Sequence, residues 1–127
     1  MLVINSDNSI YITRGDVANI EVSATNAIGE DYVFQPGELV RFKVFKRRNC
    51  ADIVLQKDVV VEEEAKTVCV YLGKGETKFG DIINKPVEYW YEIELNPDTA
   101  PQTIIGYDKD GEKVLKLFPE GGDFLNE

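Results

Sequence analysis

Histidine is absent from this 127-residue sequence, and cysteine, methionine and tryptophan occur only 2, 1 and 1 times. Without histidine, the usual general base of serine and cysteine triads is missing, and so is the commonest metal ligand. Cys50 and Cys69 lack CxxC spacing, so neither a zinc site nor a redox motif is indicated. Cys69 falls inside a strand pattern and is expected to be a buried free thiol, with a disulfide as the lesser alternative. Basic residues are also scarce, 14 against 23 acidic ones, for a formal charge of -9 and a pI near 4.5. Such a field repels phosphate backbones, and the largest basic cluster, Lys46-Arg47-Arg48, is too small to reverse it. Nucleic acid is therefore not an expected partner. No run approaches about 18 consecutive apolar residues, so no transmembrane helix is expected and no membrane partner is indicated. Residues 1–7 (MLVINSD) carry no basic n-region, long apolar stretch or small-residue cleavage site, which predicts synthesis and folding in a cytosol.

What is present is a globular composition, 43% apolar and 29% charged, in a length that suits one domain over residues 1–127. Apolar and polar residues alternate in short segments separated by Gly, Asn or Asp, which is the period-2 signature of strands. Residues 9–13 (SIYIT) come first. Arg14-Gly15-Asp16 turns the chain into residues 17–24, where Ile20, Val22 and Ala24 share a face. Gln35-Pro36-Gly37 is a turn signature that leads into residues 38–46, where Val40, Phe42 and Val44 point one way. Residues 53–61 and 66–72 are rich in β formers and separated by Glu62-Glu63-Glu64, a solvated turn. Residues 73–81 (GKGETKFGD) predict a glycine-rich loop holding one helical turn at 76–79, pinned to the core by Phe79 and Ile82.

Residues 87–95 (VEYWYEIEL) give the clearest strand, with Tyr89, Tyr91, Ile93 and Leu95 on a core face and Glu88, Trp90, Glu92 and Glu94 opposite. Asn96-Pro97-Asp98 ends it. Residues 103–107 and 113–118 flank Asp108-Lys109-Asp110-Gly111, which predicts a hairpin turn, and 119–127 read as a flexible tail. Seven to eight short strands without a convincing long helix predict an all-β fold, an antiparallel β-sandwich in preference to a small barrel.

The same residues offer little chemistry. Glu88, Glu92 and Glu94 line one face beside Trp90, as a carboxylate pair for glycoside cleavage would, but glutamates on a solvated strand need no such role. The glycine-rich loop lacks the GxxxxGK[ST] spacing of a phosphate loop. Residues 108–112 (DKDGE) echo the start of a calcium loop without its closing glutamate. Arg14-Gly15-Asp16 matches the integrin tripeptide, but it reads better as a turn. No enzyme, catalytic residue, metal or cofactor is expected. The aromatic density of the 87–95 strand makes Trp90, with Glu88 and Glu92 beside it, the candidate interface, since Trp is enriched at contact centres.

Ser9-Ile10-Tyr11-Ile12-Thr13-Arg14-Gly15-Asp16 followed by Ala18-Asn19-Ile20-Glu21-Val22 resembles the start of the N-terminal domain of phage baseplate upper proteins, where a TRGD turn leads into an alternating strand. Residues 40–44 (VRFKV), 53–57 (IVLQK) and 89–95 (YWYEIEL) fall in the order that family shows, so the similarity runs from about Ser9 to Phe118. The ending 116–122 (KLFPEGG) is similar to small proteins encoded in prophages of gut Firmicutes. The resemblance implies an immunoglobulin-like β-sandwich that serves as a structural part of a virion, in the tail baseplate or near it. It implies other virion proteins as partners, with homo-oligomers among the possibilities, and carries no catalytic residues across. Baseplate upper proteins continue into a long helical region without a counterpart in these residues. The alternative function is a ligand-binding module that recognises a carbohydrate through Trp90 and nearby carboxylates.

Overall fold

A computed structural model describes residues 2–5, 8–25, 28–47, 51–80, 83, 85–106 and 113–119. Within these residues nine strands follow in order: β1 Leu2–Ile4, β2 Ile10–Thr13, β3 Ala18–Val22, β4 Leu39–Arg47, β5 Ala51–Val60, β6 Val68–Leu72, β7 Val87–Leu95, β8 Gln102–Ile105 and β9 Lys113–Phe118. Among the described residues the one helical element is a 3₁₀ turn at Glu76–Lys78, inside the glycine-rich loop that predicted it. The predicted strand over 87–95 coincides with β7, and β9 coincides with 113–118. The added element is β1, too short at three residues for alternation to reveal it.

The strands form a seven-stranded sheet in the order β1-β2-β9-β7-β4-β5, with β8 also paired to β7, and a two-stranded sheet of β3 and β6. The strands β9-β7-β4-β5 lie opposite β3-β6 across a shared core, which makes the fold an all-β sandwich. Pairing between the named strands is antiparallel except at β2–β9, where Ile10 faces Leu115 and Thr13 faces Phe118 in parallel register. The expected all-antiparallel sandwich is thus a mixed one.

Parity decides what is buried. In β3, Ala18, Ile20 and Val22 turn inward; in β6, Val68, Val70 and Leu72 do. They meet Val40, Phe42 and Val44 of β4 and Tyr89, Tyr91, Ile93 and Leu95 of β7 in one core, closed on the other side by Ile10, Ile12, Leu115 and Leu117. Each such side chain, fully removed from water, contributes about 1.5–3 kcal/mol. The same parity corrects the expectation for Cys69: it is exposed and free, because its neighbours Val68 and Val70 take the inner positions. Cys50 lies outside the described residues.

The chain after β8 departs from the predicted hairpin. Both β8 and β9 run antiparallel to β7 along the same edge, β8 against Ile93–Leu95 and β9 against Val87–Tyr91. They therefore run in one direction and pair with β7 rather than with each other. Alternation marks a strand's faces but not its neighbour, so two apolar segments flanking a DG turn look like a hairpin in either case. The turn itself, Asp108 to Gly111, lies outside the described residues, as do Ile82 and the end of the predicted tail, 120–127. Pro119, assigned to that tail, is buried.

Two turns behave as their residues require. Gly37 has φ of 92°, and the Glu38 amide donates to the Gln35 carbonyl at 3.2 Å, giving a turn that proline opens and glycine completes. The Arg14-Gly15 turn closes through the Asp16 amide on the Thr13 carbonyl at 3.1 Å.

Candidate functional site

The outer face of the large sheet is built by the odd-even rule of β7. Because Tyr89 and Tyr91 are buried, Glu88, Trp90, Glu92 and Glu94 must point away from the core, and the register identifies their neighbours. Trp90 stands opposite Val114 on β9 and Phe45 on β4, and Phe45 in turn faces Ile53 on β5. This makes an apolar band across four strands. Phe45 is only 2% exposed although it lies outside the core between the sheets, so the band has a packed centre of its own. Trp90 is half-buried and Ile53 is 51% exposed.

Charged residues flank the band on both sides, matched to one another. Glu88 faces Lys116 across the β7–β9 ladder. Glu92 lies 3.9 Å from Lys43, whose ammonium also contacts Glu94. Next along, Arg41 donates to both carboxylate oxygens of Asp58 at 2.9 and 3.1 Å and reaches Asp98 at 3.2 Å. Its guanidinium is pushed above its usual value by the hydrogen bonds to Asp58 and then Asp98. Glu92 and Glu94 thus share one lysine as surface ion pairs, two carboxylates to one ammonium. Further out, the rings of Tyr11 and Phe118 lie 5.6 Å apart, with Lys116 over Phe118. The structure therefore brings Glu88, Trp90 and Glu92 to one face, as their alternation predicted, and adds Phe45, which its sequence position alone did not single out.

Two loops that resembled ligand motifs are occupied by each other and by themselves. Arg14 is 8% exposed and its guanidinium donates to the Lys78 carbonyl at 3.3 Å, so the RGD tripeptide does not display its arginine to a receptor. Thr77, fully buried on the 3₁₀ turn, accepts from the Gly15 amide at 3.0 Å and donates to the Asp16 carbonyl at 2.7 Å. In the glycine-rich loop, Glu76 accepts from the Gly73 amide at 2.9 Å and from Lys57 at 2.9 and 3.1 Å. The loop's own carboxylate takes the place beside amide and lysine that a phosphate would want. The Gly73 amide and then Lys57 hold the Glu76 carboxyl below its ordinary value, against the opposing effect of burial.

At one end of the sandwich the two sheets leave a cleft of about 610 Å3. Ser23, Ala24 and Thr25, continuing β3, line it from the small sheet, and Gln102, Thr103 and Ile104 of β8 from the large one. Leu95, Asp31 and Tyr32 complete the lining. Backbone bonds fix this region: the Tyr32 amide donates to the Ala24 carbonyl at 2.8 Å, and Thr25 bridges Asp31. The Tyr32 hydroxyl donates to Glu38, with its two carboxylate oxygens at 2.7 and 2.9 Å, and the ring packs edge-on against Phe34 at 5.2 Å. Glu38 also accepts from the Gln35 amide at 2.7 Å and from the Asn96 side chain at 2.9 Å. The hydrogen bond to Glu38, with burial and the charge of Glu38, pushes the Tyr32 phenol up to about 12. Nothing in the sequence announced this network, because its members sit on turns far apart in the chain. The Pro36-Gly37 and Asn96-Pro97 turn signals located the pieces but not their meeting.

Glu38 gives the network a pH dependence. Partial burial pushes its carboxyl up, but the donors from Gln35, Tyr32 and Asn96 outweigh this and lower it overall. A carboxylate lowered in the folded state contributes stability that is fully present above the unfolded value, about 4.3, and is lost as pH falls through the folded value. Urea midpoints should therefore stay level from neutrality to about pH 5 and decline below it. Glu38→Gln should cost about 1–2 kcal/mol at pH 7 and show a shallower decline in acid. Parallel acid profiles for the two proteins would remove Glu38 from this account.

Comparison of the chain with protein-family models, with curated proteins and with solved structures finds no match. Among the described residues, no three His, Cys, Asp or Glu side chains group as metal ligands, and no helix is long and apolar enough to cross a membrane.

Proposed function

We propose that this chain is a non-enzymatic, protein-binding β-sandwich that builds part of a bacteriophage or prophage virion, in the tail baseplate or a neighbouring assembly. The observation that carries the protein-binding part is the outer face of the large sheet. An apolar band centred on Trp90 and Phe45, flanked by ion pairs within the sheet, has the apolar centre and polar rim of a contact surface. Partner side chains meeting this face need not compensate unpaired charge at Lys43 or Arg41, because Glu92, Glu94, Asp58 and Asp98 already do so. The virion part rests on the resemblance of residues 9–22 and of the later strand blocks to baseplate upper proteins. That resemblance includes the TRGD turn, which here has a structural task in joining β2 to β3 and docking on Thr77.

Light scattering coupled to size exclusion, over a series of concentration and salt, tests the reading. The expected result is a defined oligomer favoured by salt, since a charge of -9 per chain opposes association at low ionic strength. Trp90→Ala should weaken it by about 30-fold or more, the loss of one interface hot spot. A monomer in every condition, with no virion protein retained on the immobilised chain, would rule the reading out.

A further inference from the structure

The cleft at the end of the sandwich has a chemistry distinct from the Trp90 face. We propose that it is a binding site for a neutral saccharide, a role that does not depend on the protein's place in any assembly. Its volume of about 610 Å3 lies within the range of small-molecule sites. Among its lining residues, Ser23, Thr25 and Thr103 carry hydroxyls, Gln102 an amide and Asp31 a carboxylate, and all five residues are exposed. Hydroxyls and amides both donate and accept, which suits the hydroxyls of a sugar, each itself donor and acceptor. Ala24, Leu95 and Ile104 supply apolar surface for the C–H groups of a pyranose ring.

Charge decides against an anionic ligand. Asp31 lines the cleft, no lysine or arginine among the described residues does, and Lys66 pairs with this carboxylate at 3.8 Å from outside the lining. A phosphate or uronate would face that carboxylate within a chain of charge -9. The site is also preorganised. Its two walls are held by backbone pairing, a single bridge from Thr25 to Asp31 on one side and the β7–β8 ladder at Leu95 and Gln102 on the other. Tyr32 is fixed by Glu38 at its hydroxyl and by Phe34 at its ring edge. A side chain locked by a second layer of contacts binds without first losing rotamer freedom.

The test is a titration of isotope-labelled protein with maltotriose, cellotriose and tri-N-acetylchitotriose, each to about 20 mM, read by amide chemical shifts. At least one should move the amides of residues 23–25, 31–32 and 102–104 along saturating curves, with the Trp90 amide and indole unmoved. Gln102→Ala should weaken that binding by about fivefold, one hydrogen bond's contribution, while the remaining resonances stay in place and report an intact fold. Thr103→Val, which keeps the shape of the side chain, should do the same. No shift from any of the three sugars, shifts centred on Trp90, or unchanged affinity in both variants would overturn the assignment.

Discussion

Replacing Phe42 by alanine should remove about 3–5 kcal/mol of stability, the usual cost of deleting a buried aromatic ring and leaving its cavity. Phe42 has no exposed surface and sits on β4, between β5 and β7 in the large sheet, with its ring 5.7 Å from that of Tyr91. Its neighbours belong to paired strands, so they cannot collapse into the space without breaking ladder hydrogen bonds. Native stabilities of domains this size run at about 5–15 kcal/mol, so the loss is a large share of the whole. The melting temperature should fall by more than about 10 °C. Unfolding in urea, followed by Trp90 fluorescence and far-ultraviolet dichroism, measures it. A loss below about 1.5 kcal/mol would mean that β4 does not run through the centre of the core.

Thr77→Val should cost about 2–4 kcal/mol without creating any cavity, since valine has nearly the shape of threonine. The hydroxyl is the only part removed, and it joins two segments 62 residues apart by accepting from the Gly15 amide and donating to the Asp16 carbonyl. With valine present, both backbone groups stay next to a fully buried side chain and lose their partner. An unmade bond at each costs about 1–3 kcal/mol. Thr77→Ser should restore most of the loss, because the hydroxyl returns while only a methyl is missing. Amide exchange at Gly15 supplies the local readout and should accelerate in the valine variant but not in the serine one. If valine proved as stable as threonine, the junction of the TRGD turn and the 3₁₀ turn would carry no energy.

These two residues differ in how far the sequence disclosed them. Phe42 lies in an alternating segment, and alternation alone assigns it to the same face as Val40 and Val44. Thr77 lies in a glycine-rich loop where no period exists, and its partners come from a turn 61 to 62 residues earlier in the chain. The same contrast separates the candidate sites. Trp90, Glu88 and Glu92 could be placed on one face by counting from Tyr89 and Tyr91. The cleft, the Glu38 network and the burial of Phe45 could not, since each depends on which strands stand side by side.

By itself, the sequence determined the all-β class, most strand positions, the inner faces of β3, β4 and β7, and the turns at Arg14-Gly15, Pro36-Gly37 and Asn96. Side-chain parity and turn chemistry are local properties, fixed by a few consecutive residues. Tertiary structure alone decided that β8 and β9 share one edge of β7, that β2 joins β9 in parallel, that Cys69 faces water, and that a cleft opens between residues 23–25 and 102–104. Pairing partners are chosen by the packing of the entire core, a sum over residues far apart in the chain, and no short stretch of sequence contains it.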